Sequence, residues 1–166
     1  MSISPKIVVI ILTALLFTGC GSAESNPPLT IEQIQLLETA STNPIQLQGE
    51  LSEMFAFGSK HTDLQRDIMR GKLVGSIVQW KLPVYEVSLS NGVYKVQTKG
   101  GVRIGQKGMD LMTVIIYISP RIAEDQRTME LLKTGDMISF RGKVSEIMFR
   151  SFVIINPAIL IRLKGS

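Results

Sequence analysis

The chain has one cysteine, one histidine and one tryptophan among 166 residues, and aromatic residues make up only 6% of it. With Cys20 alone, an internal disulfide and a cysteine-built metal site are both excluded within one copy of the chain. His61 alone cannot supply the usual zinc ligand set. A Ser-His-Asp relay would have to recruit it, and no nucleophile-elbow sequence is present. Basic residues are missing from a whole stretch: Cys20 to Ser59 holds five acids (Glu24, Glu32, Glu38, Glu50, Glu53) and no Lys or Arg, a net charge of −5. From Lys60 onward seventeen bases face nine acids, a net charge of +8. Three readings of this asymmetry stay open: the acidic segment packs across a basic body, the basic body meets an anionic surface, or the charges are simply solvated.

What is present begins with an address. Lys6 precedes an apolar run of eleven residues, Ile7 to Phe17, too short at 1.5 Å per residue to cross a bilayer core of about 30 Å but suited to the apolar region of a secretory leader. Phe17-Thr18-Gly19-Cys20 then resembles the lipobox of bacterial lipoproteins. That resemblance implies a signal peptide over 1–19, lipidation (palmitate among the acyl groups) at Cys20, and an anchor facing the periplasm of the cell envelope. Gly21 in place of Asp implies the outer membrane. A plain cleaved leader with an incidental cysteine is the other reading. Residues 20–28, rich in small residues and ending Pro27-Pro28, read as a flexible tether.

Residues 29–70 read as a helical extension. Thr30 with Gln33, and Thr62 with Gln65, carry the spacing of capping boxes. The first helix is expected to end near Thr39 and to bury Ile31, Ile34 and Leu37 or Leu36. The second is expected to dock through Leu64, Ile68 and Met69 and to stop at Gly71. Gln46 to Phe57 is ambiguous, a short helix carrying Leu51, Met54 and Phe55 that either joins the body or covers its binding face.

From Lys72 the apolar period becomes two, with a bend or edge at Pro83 after Trp80. Ser90-Asn91-Gly92 marks a hairpin. Leu111 to Ile118 is a strand apolar on both faces, and Ser119-Pro120 is expected to open a helix reaching Leu132. Thr134-Gly135-Asp136 is a turn leading into two closing strands. On the first of these, Ile138, Phe140, Gly142 and Val144 face inward and Ser139, Arg141 and Lys143 outward. Gly142 is expected where a small barrel bends too sharply for a side chain.

The order strand, strand, strand, helix, strand, strand is that of a five-stranded OB-fold barrel, so the class is mainly β within α+β, with the barrel over 71–166. Gly71-Lys72-Leu73-Val74, Tyr94-Lys95-Val96, Leu132 to Asp136, Phe140 to Val144 and Asn156 to Leu160 carry a resemblance to the tRNA-anti-like OB-fold family. That family occurs in bacterial lipoproteins and secreted proteins, and the resemblance implies a shape, not a reaction.

Arg141 and Lys143 on one strand face, with Arg103 and Lys107 in a glycine-rich loop, form the candidate cationic patch. Trp80, Tyr85 and Tyr94 are the rings available for stacking single-stranded nucleic acid, or equally for packing the core. The glycine-rich loop lacks phosphate-loop spacing. Asp63 and Asp67 interleave with Arg66 and Arg70 as surface ion pairs do. The expected function is a non-catalytic binding module without a cofactor or metal, not an enzyme, held on the membrane and recognising a protein or an anionic envelope component. Single-stranded nucleic-acid binding is the alternative.

Overall fold

The structure is a computed structural model that describes residues 29–56, 58–98, 112–149 and 152–161. Its strands are β1 (Ile77–Ser90), β2 (Val93–Thr98), β3 (Thr113–Ile118), β4 (Met137–Met148) and β5 (Phe152–Leu160). Its helices are α1 (Ile31–Thr39), α2 (Ser52–Phe55), α3 (Asp63–Leu73) and α4 (Ala123–Leu131), the last lying between β3 and β4. The strands close into a barrel in the order β1-β2-β3-β5-β4. Only the β3 to β5 pairing is parallel. This is an OB-like α+β barrel, as the order of elements predicts.

β1 serves two neighbours in turn. Ile77 to Pro83 pairs with Lys143 to Met137 on β4, and Val84 to Ser90 then pairs with Thr98 to Val93 on β2. Pro83, which has no N–H, stands at the changeover, and the β2 register shifts between Val84 and Glu86. The bend expected after Trp80 is therefore a transfer of pairing within one continuous strand. At the hairpin tip Asn91 (φ 52°) and Gly92 (φ 78°) both adopt the left-handed conformation that a two-residue type I′ turn demands.

β4 alternates as expected: Ile138, Phe140, Gly142 and Val144 are buried, and Lys143 is exposed. The interior is filled by Val78, Trp80, Val96, Val114, Ile116, Phe140, Val153 and Ile155. Leu47, Leu51, Met54 and Phe55 from the extension are buried in the same core, as are Met69 and Leu73 of α3. The segment with two readings thus joins the barrel. It turns through Gly49 (φ 98°, ψ −129°), a conformation that glycine tolerates and a side chain does not. Trp80 fastens it by donating from Nε1 to the Ile45 carbonyl at 3.0 Å.

Several expected boundaries move. α3 runs through Gly71 to Leu73, with the Val74 N–H still bonded to the Arg70 carbonyl at 2.9 Å, so alternation starts at Ile77 instead of Lys72. An interior glycine costs a helix about 1 kcal/mol. Burying Leu73 outweighs that, at about 1.5–3 kcal/mol. The docking face of α3 is Arg66, Met69 and Leu73, while Leu64 and Ile68 are 70% and 52% exposed. Arg66 sets this rotation, donating from Nε to the Met54 carbonyl at 3.1 Å and from Nη1 to Asp63 at 2.9 Å. On α1 the stripe narrows to Leu37 with half-buried Ile34, and Ile31 and Leu36 face solvent. α4 begins at Ala123 and not at Ser119-Pro120, because Ser119 is buried beside the end of β3 and the chain turns only after Ile122.

Gly142 stands where β4 crosses closest to β5. A Cβ there would fall inside contact distance of Ile155 Cγ2 and lie 2.8 Å from Ala158 Cβ and 2.9 Å from the Pro157 carbonyl oxygen. Because one of those neighbours is backbone, the strain cannot be relieved by a rotamer change. Gly142→Ala is expected to lower unfolding free energy by about 2–3 kcal/mol in chemical denaturation, whereas Gly71→Ala, with open space around it, leaves it unchanged or raised.

Candidate functional site

The described residues among those singled out from the sequence lie in different settings. Trp80 and Tyr94 are 3% exposed and belong to the core, so neither offers a ring face to a ligand. Trp80 stands edge-on to Phe140 with ring centroids 6.4 Å apart. The Tyr94 hydroxyl donates to Glu130 Oε1 on α4 at 3.3 Å. Burial raises the Tyr94 pKa above its ordinary value, and the charge of Glu130 and the bond to it push the same way. Tyr85 is half exposed on the outer side of β1. Cys20, Arg103 and Lys107 lie outside the described residues.

Arg141 and Lys143 share the outer face of β4 but serve different ends. Lys143 is exposed. Arg141 donates from Nη2 to the carbonyl of Ala40, the C-cap of α1, and its Nε is buried without a hydrogen-bond partner. The helix it holds covers Ile77 and Ile159 with Leu37, and Leu29 and Ala40 pack against the same group.

A second cation that sequence reading passed over does more. Arg121, just ahead of α4, donates from its backbone N–H and Nε to Asp125 Oδ2 (3.0 and 3.3 Å), from Nη1 to Glu38 of α1 (2.6 Å) and from Nη2 to the Leu160 carbonyl of β5 (2.7 Å). A guanidinium holds its donors on three nitrogens in a rigid plane and so reaches three separated acceptors, where an ammonium presents all its donors from one point. Asp125 is 1% exposed, so the fork meets its carboxylate out of reach of solvent. Here the acidic extension does pack across the basic barrel, through Glu38. Residues Arg121 and Asp125 four apart were the available signal, but only the fold brings Glu38 and Leu160 to them.

Among the described residues, a surface that can receive something lies elsewhere. An open cleft of about 420 Å³ is lined by Arg70 and Val74 at the end of α3 and by Ser145, Glu146, Ile147, Met148 and Phe149 at the end of β4. Phe149, in the turn to β5, has φ 47° and is 81% exposed; Val74 is 40% exposed. Arg70 pairs through Nη1 with Asp67 at 2.9 Å, and its Nε is buried without a hydrogen-bond partner. An exposed phenyl ring, an aliphatic wall and a guanidinium thus meet in one concavity of ligand-binding size. Among the described residues no group of three or more His, Cys, Asp or Glu side chains could hold a metal ion. None of the described helices is long and apolar enough to cross a membrane.

No protein-family profile matches the chain, and no curated protein sequence matches it. Among solved structures, it is similar to the aspartyl tRNA synthetase from Entamoeba histolytica at 9% identity and a TM-score of 0.37. That match covers 75% of this chain and 25% of the synthetase. A likeness that distant carries no functional argument. The class rests on the barrel itself: five strands, mixed pairing, and a helix between β3 and β4.

Two outcomes test this account. Arg121→Ala leaves Asp125 buried without its fork and is expected to cost about 3 kcal/mol in denaturant titration, with Arg121→Lys recovering less than half. Tyr94, whose folded pKa is raised, contributes stability that is fully present below the ordinary tyrosine value and is lost as pH rises through the raised one. From about pH 9 to about pH 11, Tyr94→Phe should therefore lose less stability than the parent, as read by thermal melts.

Proposed function

We propose that this chain is a lipid-anchored extracytoplasmic binding module of the bacterial cell envelope, acylated at Cys20 and facing the periplasm, with the outer membrane as its seat. It does not transform a substrate. It holds a protein or an anionic envelope component against the surface of an OB-like barrel. The observation that carries the binding part is the cleft between α3 and the end of β4, lined by Phe149, Val74 and Arg70 together. The address is supported by the leader, by Phe17-Thr18-Gly19-Cys20, and by a tether of small residues and proline leading to Leu29, which is packed on the barrel beside Ile77 and Ile159. Two acyl chains, each methylene adding about 0.8 kcal/mol, suffice for stable anchoring.

Single-stranded nucleic-acid binding is the weaker reading. Of its three candidate rings, only Tyr85 is exposed, and Arg141 is occupied with α1.

Metabolic labelling with palmitate should mark the protein, and Cys20→Ser should abolish the label and release the protein from membranes. Recovery of unlabelled protein from the cytosol with its leader intact would overturn the address. A photo-crosslinking side chain at Val74 should capture an envelope species that one at Leu89, on the β1–β2 hairpin, does not. Equal yields at both positions would overturn the site.

A further inference from the structure

β1 leaves β4 partly uncovered. Its pairing with β4 ends at Lys143, and Gly75 and Ser76 extend the contact by one residue, through the Gly75 N–H to the Val144 carbonyl (2.7 Å) and the Val144 N–H to the Ser76 carbonyl (2.9 Å). From there to the hairpin, β4 continues against β5 alone, pairing Glu146 with Ile154, Ile147 with Val153 and Met148 with Phe152. On its other side, among the described residues, no strand pairs with Ser145–Met148. The shift of register between Val144 and Glu146 marks where β4 leaves the closed barrel. The same stretch of β4 lines the cleft, together with Arg70 and Val74 of the α3 end and Phe149 of the turn.

A closed barrel has no free edge, so a strand that outruns its neighbour exposes peptide groups able to template another chain. We propose that the cleft is a strand-addition site. It takes an extended segment of a partner protein, paired with Ser145–Met148 and carrying an acidic side chain toward Arg70 and an apolar one against Val74 and Phe149. The inference rests on the binding-module reading and names its partner class: a polypeptide held through its backbone, not an anionic polymer. Strand addition draws affinity from main-chain hydrogen bonds and selectivity from alternate side chains. The cleft carries Arg70, which also pairs with Asp67, on its α3 side and Glu146 on β4, so an acidic residue is better placed toward the helix. The chain's own residues 20–28 suit the role poorly, since Pro27 and Pro28 lack N–H donors and, those prolines apart, the segment has no aliphatic side chain larger than that of Ala23.

Hydrogen exchange on the full chain in detergent tests this. The probe is an acetylated and amidated heptapeptide, Ser-Val-Glu-Val-Thr-Val-Ser, with a twin N-methylated at alternate residues. At about 1 mM the first should slow exchange at Ser145 to Phe149 on the order of tenfold and leave the β1–β2 hairpin unchanged. The twin should do nothing, and Arg70→Gln should weaken the protection several-fold. Slow exchange, before any peptide is added, at the amides of this stretch that point away from β5 would mean that the chain fills its own edge, and would overturn the proposal. So would equal action by the methylated twin, or no protection at all. A protein that is acylated at Cys20 and crosslinks through Val74, yet shows no protection, loses strand addition alone and remains a binding module.

Discussion

The barrel closes on a contact that only a missing side chain allows. At Gly142, β4 and β5 approach until the Pro157 carbonyl and the Ala158 methyl occupy the space a Cβ would need. That approach sets how steeply β4 crosses its neighbours, since strand tilt and closure are linked in small barrels. The first half of β4 then lies against β1, and the second half runs on beyond β1 toward the end of α3. The uncovered edge and its cleft follow from the geometry of closure.

Charge in this protein is used mainly to fasten parts together. Arg121 joins α1, the start of α4 and the end of β5 through one guanidinium, and Arg141 holds the C-cap of α1. Arg66 ties α3 to the carbonyl of Met54. These side chains are wholly or partly buried and directional, where scattered surface pairs would contribute little. Lys143, on the same outer face of β4 as Arg141, meets solvent.

The sequence made the strand order, the hairpin at Asn91-Gly92, the inward side of β4 and the two capping boxes legible, because each depends on residues close together in the chain. Both capping boxes form as the spacing predicts. It misplaced the end of α3 and the face that α3 buries, because Leu73 and Arg66 answer to Met54 and the barrel core, which no local period reports. The cleft was out of reach for a similar reason. Neither Phe149 nor Arg70 belongs to a local sequence pattern that announces it, and their meeting depends on where β1 ends its pairing with β4. Trp80 and Tyr94 could be listed as rings from the sequence, but burial assigns them to the interior.

Trp80, the only tryptophan, has its indole nitrogen on the Ile45 carbonyl and its ring inside the barrel. The protein therefore carries an intrinsic fluorophore at the seam between extension and barrel. Its emission is blue-shifted while that seam is closed and moves to the red when solvent enters, so detachment of the extension can be followed optically without a label.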